Sequence, residues 1–144
     1  MAKYHRKVQC WIFCEDADST PLCLLFKTAE NRGSFWQPVT GSVEADENFF
    51  AAACREAYEE TGLIFAAPPD DTGYEFEFTS RFGPTHERCF VARLSTKLPP
   101  KLDPKEHQDF QWIAPKDAEP LLRFPSNIEG LHQSYRLLYG KDFT

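Results

Sequence analysis

Arg55, Glu56, Glu59 and Glu60 fall within one stretch of six residues near the middle of the chain. On a helix, the three glutamates stand at i, i+3 and i+4 and share one face. Like charges at that spacing repel unless a cation neutralises them. Hard divalent ions such as Mg²⁺ take oxygen ligands, binding through a few carboxylates together with substrate phosphates. The pattern therefore reads either as a solvated acidic stripe or as a metal platform, and the surrounding residues must decide.

The platform needs a helix to carry it. From Asp46, an N-cap candidate, "ENFFAAACREAYEETG" repeats Phe50, Ala53, Cys54 and Ala57 at helical spacing and stops at Gly62. Upstream, "KVQCWIFCE" and "PLCLLFK" read as two strands joined by the turn-rich "DADST". Downstream, "LIFAA" reads as a short strand and "PPDDTG" as a turn. "YEFEFTSRF" reads as a half-buried strand that "GPTH" breaks and "ERCFVARLS" resumes. The proline-rich "TKLPPKLDPKE" is a loop ending at Glu106 and His107, and "DFQWIAP" begins a last short strand. "PKDAEPLL" predicts a short helix, and Ile128, Leu131, Tyr135 and Leu138 mark one face of a closing helix. With 144 residues and no internal repeat, this order describes one mixed α/β domain over residues 1–144.

Composition narrows the function. The chain is 42% apolar, 15% aromatic and 26% charged, and no run approaches the roughly eighteen apolar residues a membrane span needs. The basic N-terminus is followed by too short an apolar run for a signal peptide. Cys10, Cys14, Cys23, Cys54 and Cys89 are an odd set without a C-x-x-C, as expected of reduced, mostly buried thiols in a cytoplasmic protein. A net charge of −6 argues against nucleic acid as a partner, because phosphate backbones attract basic surfaces. A small polyanion can still bind if a cation mediates the contact.

From Gly41 the chain reads Gly41, five residues, Glu47, seven residues, then Arg55, Glu56, Ala57, Tyr58, Glu59, Glu60, Thr61, Gly62, Leu63. This resembles the signature of the Nudix hydrolases, G-x5-E-x7-R-E-U-x-E-E-x-G-U with U apolar, at every specified position; Ala57 is small for its slot. Seven fixed residues would coincide by chance on the order of once in 10⁸ starting points. The resemblance implies an α/β fold, an α/β/α sandwich with a mixed β-sheet, and hydrolysis of a nucleoside diphosphate linked to another group with Mg²⁺ or Mn²⁺. It further implies Glu56, Glu59 and Glu60 as metal-binding carboxylates, the Gly41 carbonyl as a further ligand, and Arg55 with Glu47 as the pair that orients them. Without the resemblance, that pair reads as a surface ion pair of about 0–1 kcal/mol. Family members recruit a glutamate outside the box for metal binding or base work. Glu106 is expected in that role, with Glu56 the competing base.

"FWQPVTGSVE" ahead of the box, "EFEF" in the middle strand and "EH" before "F-x-W" are similar to a subgroup of the family, the bacterial dihydroneopterin triphosphate pyrophosphatases of folate synthesis. The resemblance implies a small-molecule triphosphate substrate, dihydroneopterin triphosphate first and a dNTP such as dATP second, with pyrophosphate released. Thr40 and Ser126 are candidates to meet phosphate or pterin, beside Gln37. Arg6, Lys7, Lys27 and Arg81 are candidate cations for the triphosphate. Trp36 either stacks on a ring or packs in the core. His86 and His107 lack partners at zinc spacing and receive no metal role. "RFGPTHERCF" and "PPDDTG" depart from the subgroup, which leaves ring recognition open. The alternatives are a Nudix hydrolase of NDP-sugars, dinucleoside polyphosphates or RNA 5′ ends, and a binding module without turnover.

Overall fold

The computed structural model describes residues 4–143, so residues 1–3 and 144 of the expected domain lie outside the described residues. β1 (His5–Glu15) and β2 (Pro21–Thr28) are the two apolar strands read from the sequence, and their ends pair antiparallel, Phe13 opposite Cys23. Two short strands follow, β3 (Trp36–Gln37) and β4 (Val39–Ser42). Next come the helix α1 (Phe49–Thr61), the long strands β5 (Asp70–Ser80) and β6 (Gly83–Arg93), and β7 (His107–Ile113). The chain closes with α2 (Pro115–Ala118), a short 3₁₀ turn and α3 (Pro125–Tyr139).

The strands form one mixed sheet. β1 runs parallel to β6 from His5 to Phe13, and β4 pairs antiparallel with the opposite side of β1, from Lys7 to Cys10. β2 carries β3 and β7 as antiparallel partners. Alternation along β1 assigns the two faces. Val8, Cys10, Ile12 and Cys14 pack with Ala52, Ala53 and Ala57 of α1, whose small side chains let that helix approach the sheet closely. Trp11 and Phe13 pack with Leu131 and Tyr135 of α3. A helix therefore covers each face, in the α/β/α arrangement expected.

Four local expectations are corrected. The cap of α1 is Asn48, not Asp46: Asn48 Oδ1 accepts from the Ala51 N–H at 2.8 Å. Starting the helix two residues later turns Phe50 outward to 46% exposure, and Phe49 packs against the core in its place. "LIFAA" forms no strand; Leu63 is buried, but Ile64 is 85% exposed and the segment has no ladder partner. The "DDTG" expected as a turn lies in β5, with a bulge between Asp71 and Glu75. "GPTH" does not break the sheet either, because the reversal is the Arg81–Phe82 turn and Pro84 sits near the start of β6 opposite Thr79.

The five cysteines are free; Cys10, Cys14, Cys23 and Cys89 are buried and Cys54 is half-buried. Among the described residues, no helix is long and apolar enough to cross a membrane.

Candidate active site

The carboxylate face of α1 meets the sheet at β4. A β-carbon on Gly41 would lie 2.1 Å from Glu56 Cδ, so only a glycine leaves room for that carboxylate against the strand. Arg55 is the hub of the face. Its Nε and Nη2 donate to the two oxygens of Glu47 at 2.7 and 2.9 Å, in the bidentate geometry that guanidinium favours. Its Nη1 donates to Glu56 at 2.8 Å and Glu59 at 3.1 Å, and Nη2 also reaches the Ser42 carbonyl at 2.9 Å. Glu47 in turn accepts from the Glu44 N–H at 2.9 Å, which ties the loop before α1 to the hub. The Arg55 guanidinium and that backbone donor hold the Glu47 carboxyl down at about 2.

Glu60 is in the opposite condition. It is buried, and its Oε2 has no hydrogen-bond partner among the described residues. Burial first, then neighbouring Glu56 and Glu106, push its carboxyl well above the usual range. Burial also raises Glu56, against the pull of Arg55. An orphaned, buried carboxylate oxygen beside a second and third carboxylate is what a divalent cation satisfies. The residues present thus fit the oxygen-rich site of a hard metal.

The loop before β7 completes this end. Ligand atoms of Glu60, Glu106 and His107 lie within 4.8 Å of one another. His107 is buried, stacked on Phe26 at 4.6 Å between ring centroids, with Nε2 3.5 Å from Glu60 Oε1. Burial and the Arg32 charge lower its pKa to about 4, so a neutral imidazole faces Glu60. Zinc spacing gave no reason to single it out; its neighbour Glu106 and the fold bring it here.

On the other face of the sheet, at the start of α3, lies a cavity of about 480 Å³. Its walls include the rings of Phe76, Phe78 and Phe124. Lys7, Gln37, Thr40 and Ser126, four of the eight substrate candidates, line it. The other four lie elsewhere. Arg6 donates to the Glu47 and Glu44 carbonyls at 2.9 and 3.1 Å and sits over the Phe49 ring. Lys27 lies on β2 between Trp36 and Asp109. Trp36 packs half-buried against the α3-side core. Arg81 is in the β5–β6 turn over Phe82. Among the polar residues of this region that escaped sequence reading are Gln9 and Glu87, beside Thr79 and Asn127. Gln9 sits inside an apolar strand run and Glu87 among the polar residues that begin β6, and alternation alone does not mark either as part of a polar floor.

Comparison with known proteins shows the family and the fold. A family model described as "NUDIX domain" matches residues 3–134. A dihydroneopterin triphosphate diphosphatase of Haemophilus influenzae is 30% identical over 110 residues, covering 67% of this chain and 68% of that protein. An octanoyltransferase of Myxococcus xanthus is 33% identical over 116 residues, 78% of this chain, but the matched part is only 31% of its length. Among solved structures, a C. elegans Ap4A hydrolase binary complex superposes with a TM-score of 0.79 at 21% identity, covering 95% of this chain and 99% of that one. The E. coli dihydroneopterin triphosphate pyrophosphohydrolase does so at 0.76 and 24% identity, covering 92% and 97%. The glutamate helix braced by Arg55, the glycine that admits Glu56 and a match over nearly the whole length lead to one conclusion: the chain belongs to the NUDIX family of hydrolases.

Proposed function

We propose that the protein is a Mg²⁺-dependent pyrophosphohydrolase of a pterin or (deoxy)nucleoside triphosphate. Dihydroneopterin triphosphate is the first candidate substrate and a dNTP such as dATP the second. The observation that carries the reading is Glu60, buried with an unpartnered oxygen beside Glu56 on the sheet face opposite an aromatic-walled cavity. The 30% identity to a dihydroneopterin triphosphate diphosphatase supports the substrate class.

In this reading Glu56, Glu59, Glu60 and Glu106, with the Gly41 carbonyl, hold Mg²⁺, and Mn²⁺ can replace it. Once bound there, a divalent cation would supply charge neutralisation for the phosphates and a lowered pKa for water. The protein's own groups do the rest. Arg55 fixes the rotamers of Glu56 and Glu59, and Glu47 fixes Arg55. Glu106 or Glu56 takes the proton of the attacking water as oxygen bonds to phosphorus and the anhydride P–O bond breaks with pyrophosphate leaving. Lys7, Gln37, Thr40 and Ser126 bind the rest of the substrate in the cavity.

The test is a panel with Mg²⁺ in which pyrophosphate release is followed from dihydroneopterin triphosphate, dNTPs, NTPs, NDP-sugars and dinucleoside polyphosphates. Highest kcat/KM on the pterin triphosphate or a dNTP is expected. A clear preference for NDP-sugars or dinucleoside polyphosphates would overturn the substrate assignment.

A further inference from the structure

The cavity beside α3 has a charged group at its wall that the phosphate chemistry does not use. Glu87 of β6 lines it, and the residue is 5% exposed. Its orientation is fixed from behind. The Trp11 indole N–H, which can only donate, meets Gln9 Oε1 at 2.8 Å. The Gln9 amide must therefore present its NH₂ end the other way, and Nε2 donates to Glu87 Oε2 at 3.0 Å and to the Ser126 carbonyl at 3.3 Å. Gly130 of α3 closes over this amide; a β-carbon there would fall 2.1 Å from Gln9 Oε1. With Gln9 locked, Glu87 Oε2 is held as an acceptor. Among the described residues, Oε1 has no hydrogen-bond partner in the protein. Lys7, directly opposite Glu87 in the parallel β1/β6 pair, also lines the cavity and supplies a donor beside the carboxylate.

The recognition surface is thus one donor next to two acceptors, set among the rings of Phe76, Phe78 and Phe124. A flat heterocycle between such rings is held by stacking and sorted by its edge. Guanine and the pterins share a 2-amino-4-oxo-pyrimidine edge, which reads acceptor, donor, donor. Adenine, cytosine, thymine and uracil each turn at least one acceptor, a ring nitrogen or a carbonyl oxygen, toward a carboxylate placed to receive two N–H groups. We infer that Glu87 is the specificity-determining residue of the cavity, selecting a 2-amino-4-oxo-pyrimidine ring by accepting its two adjacent N–H donors, with Gln9 as the positioning residue behind it. Burial raises the Glu87 carboxyl while Lys7 and Gln9 lower it, and two ring donors would satisfy its ionised form.

This inference rests on the triphosphate reading for the substrate's other end but not for its test. Phosphate-free ligands probe the ring site alone: guanosine, inosine, adenosine and neopterin, titrated into the isotope-labelled full chain without metal and followed by amide chemical shifts. Inosine is guanosine without the 2-amino group, so the pair reads one hydrogen bond with no substitution in the protein. Guanosine and neopterin are expected to bind about 10- to 100-fold more tightly than inosine or adenosine, because a site built to receive N–H donors rejects analogues that lack them. In Glu87→Gln the preference should fall to about threefold or less, since an amide offers one acceptor in place of two. Equal binding of guanosine, inosine and adenosine by the wild-type chain would overturn the inference, whether or not the variant folds, and so would an unchanged preference in a folded Glu87→Gln protein. A ring preference that follows Glu87 in a chain that hydrolyses no triphosphate would uphold the inference and sink the pyrophosphohydrolase reading alone.

Discussion

Thr40 and Gly41 are neighbours on β4 that serve opposite faces of the sheet: Thr40 lines the cavity beside α3, and Gly41 lies against the carboxylate of Glu56 on α1. One strand step therefore links the pocket to the carboxylate platform. In Gly41→Ala the new methyl must displace the Glu56 carboxylate, which Arg55 holds in place. We expect kcat/KM to fall by about 10²-fold, the usual cost of misplacing a reacting group by an ångström. The melting temperature should change far less than the activity. A variant with wild-type kinetics would show that Glu56 does not need its place against β4.

The Glu47–Arg55 pair should appear in the pH dependence of stability. Glu47 is depressed to about 2 in the folded chain, so its contribution is fully present above the unfolded carboxylate range of about 4.3 and is lost as pH falls toward 2. Glu47→Gln should lower Tm by about 5 °C near neutral pH, a loss of order 1.5 kcal/mol for a bidentate charged pair. The gap to wild type should close between about pH 4.3 and pH 2. Thermal melts of both proteins across that range check it, and a gap independent of pH would contradict it.

Metal binding should stabilise the folded chain. At about 100 times its dissociation constant, Mg²⁺ adds about 2.7 kcal/mol by linkage, a rise of about 9 °C for a chain of this length. In Glu60→Gln the rise should shrink to a few degrees at the same concentration. Differential scanning calorimetry with and without Mg²⁺ reads both, and an equal rise in the two proteins would remove Glu60 from the metal site.

The start of the platform helix rests on one cap. Asn48→Ala leaves the Ala51 N–H without its acceptor and should cost about 1 kcal/mol, or about 3 °C in Tm. Asp46→Ala should cost nothing comparable, and the pair of melts distinguishes the two candidate caps.

What was legible in the sequence follows from how local each feature is. Glu56, Glu59 and Glu60 could be read because a helix fixes i, i+3 and i+4 neighbours without reference to the rest of the chain. The Glu47–Arg55 pair came with the spacing of the box. The cap and the inward phenylalanine were misread together, since Asp46 and Asn48 are both good caps and the choice rotates the start of the helix. "LIFAA" has strand-like residues but no partner edge, and pairing is a property of the sheet. The cavity was legible only in part: Lys7, Gln37, Thr40 and Ser126 were candidates, but Glu87 and the assembly of the walls were not. Its walls come from β1, β3, β4, β5, β6 and the start of α3, and only tertiary packing brings Lys7, Thr40, Glu87 and Ser126 together. His107 was hidden for a related reason: nothing in its spacing to other ligands announces that β7 will place it against Glu60.

The most direct test of the central claim is the rate of pyrophosphate appearance from dihydroneopterin triphosphate, followed by phosphorus NMR for wild type and Glu60→Gln. We expect Mg²⁺-dependent release by wild type, abolished by chelation, and a loss of about 10²-fold or more in the variant. Equal turnover by both proteins, or no release by wild type from this or any other triphosphate, would contradict it.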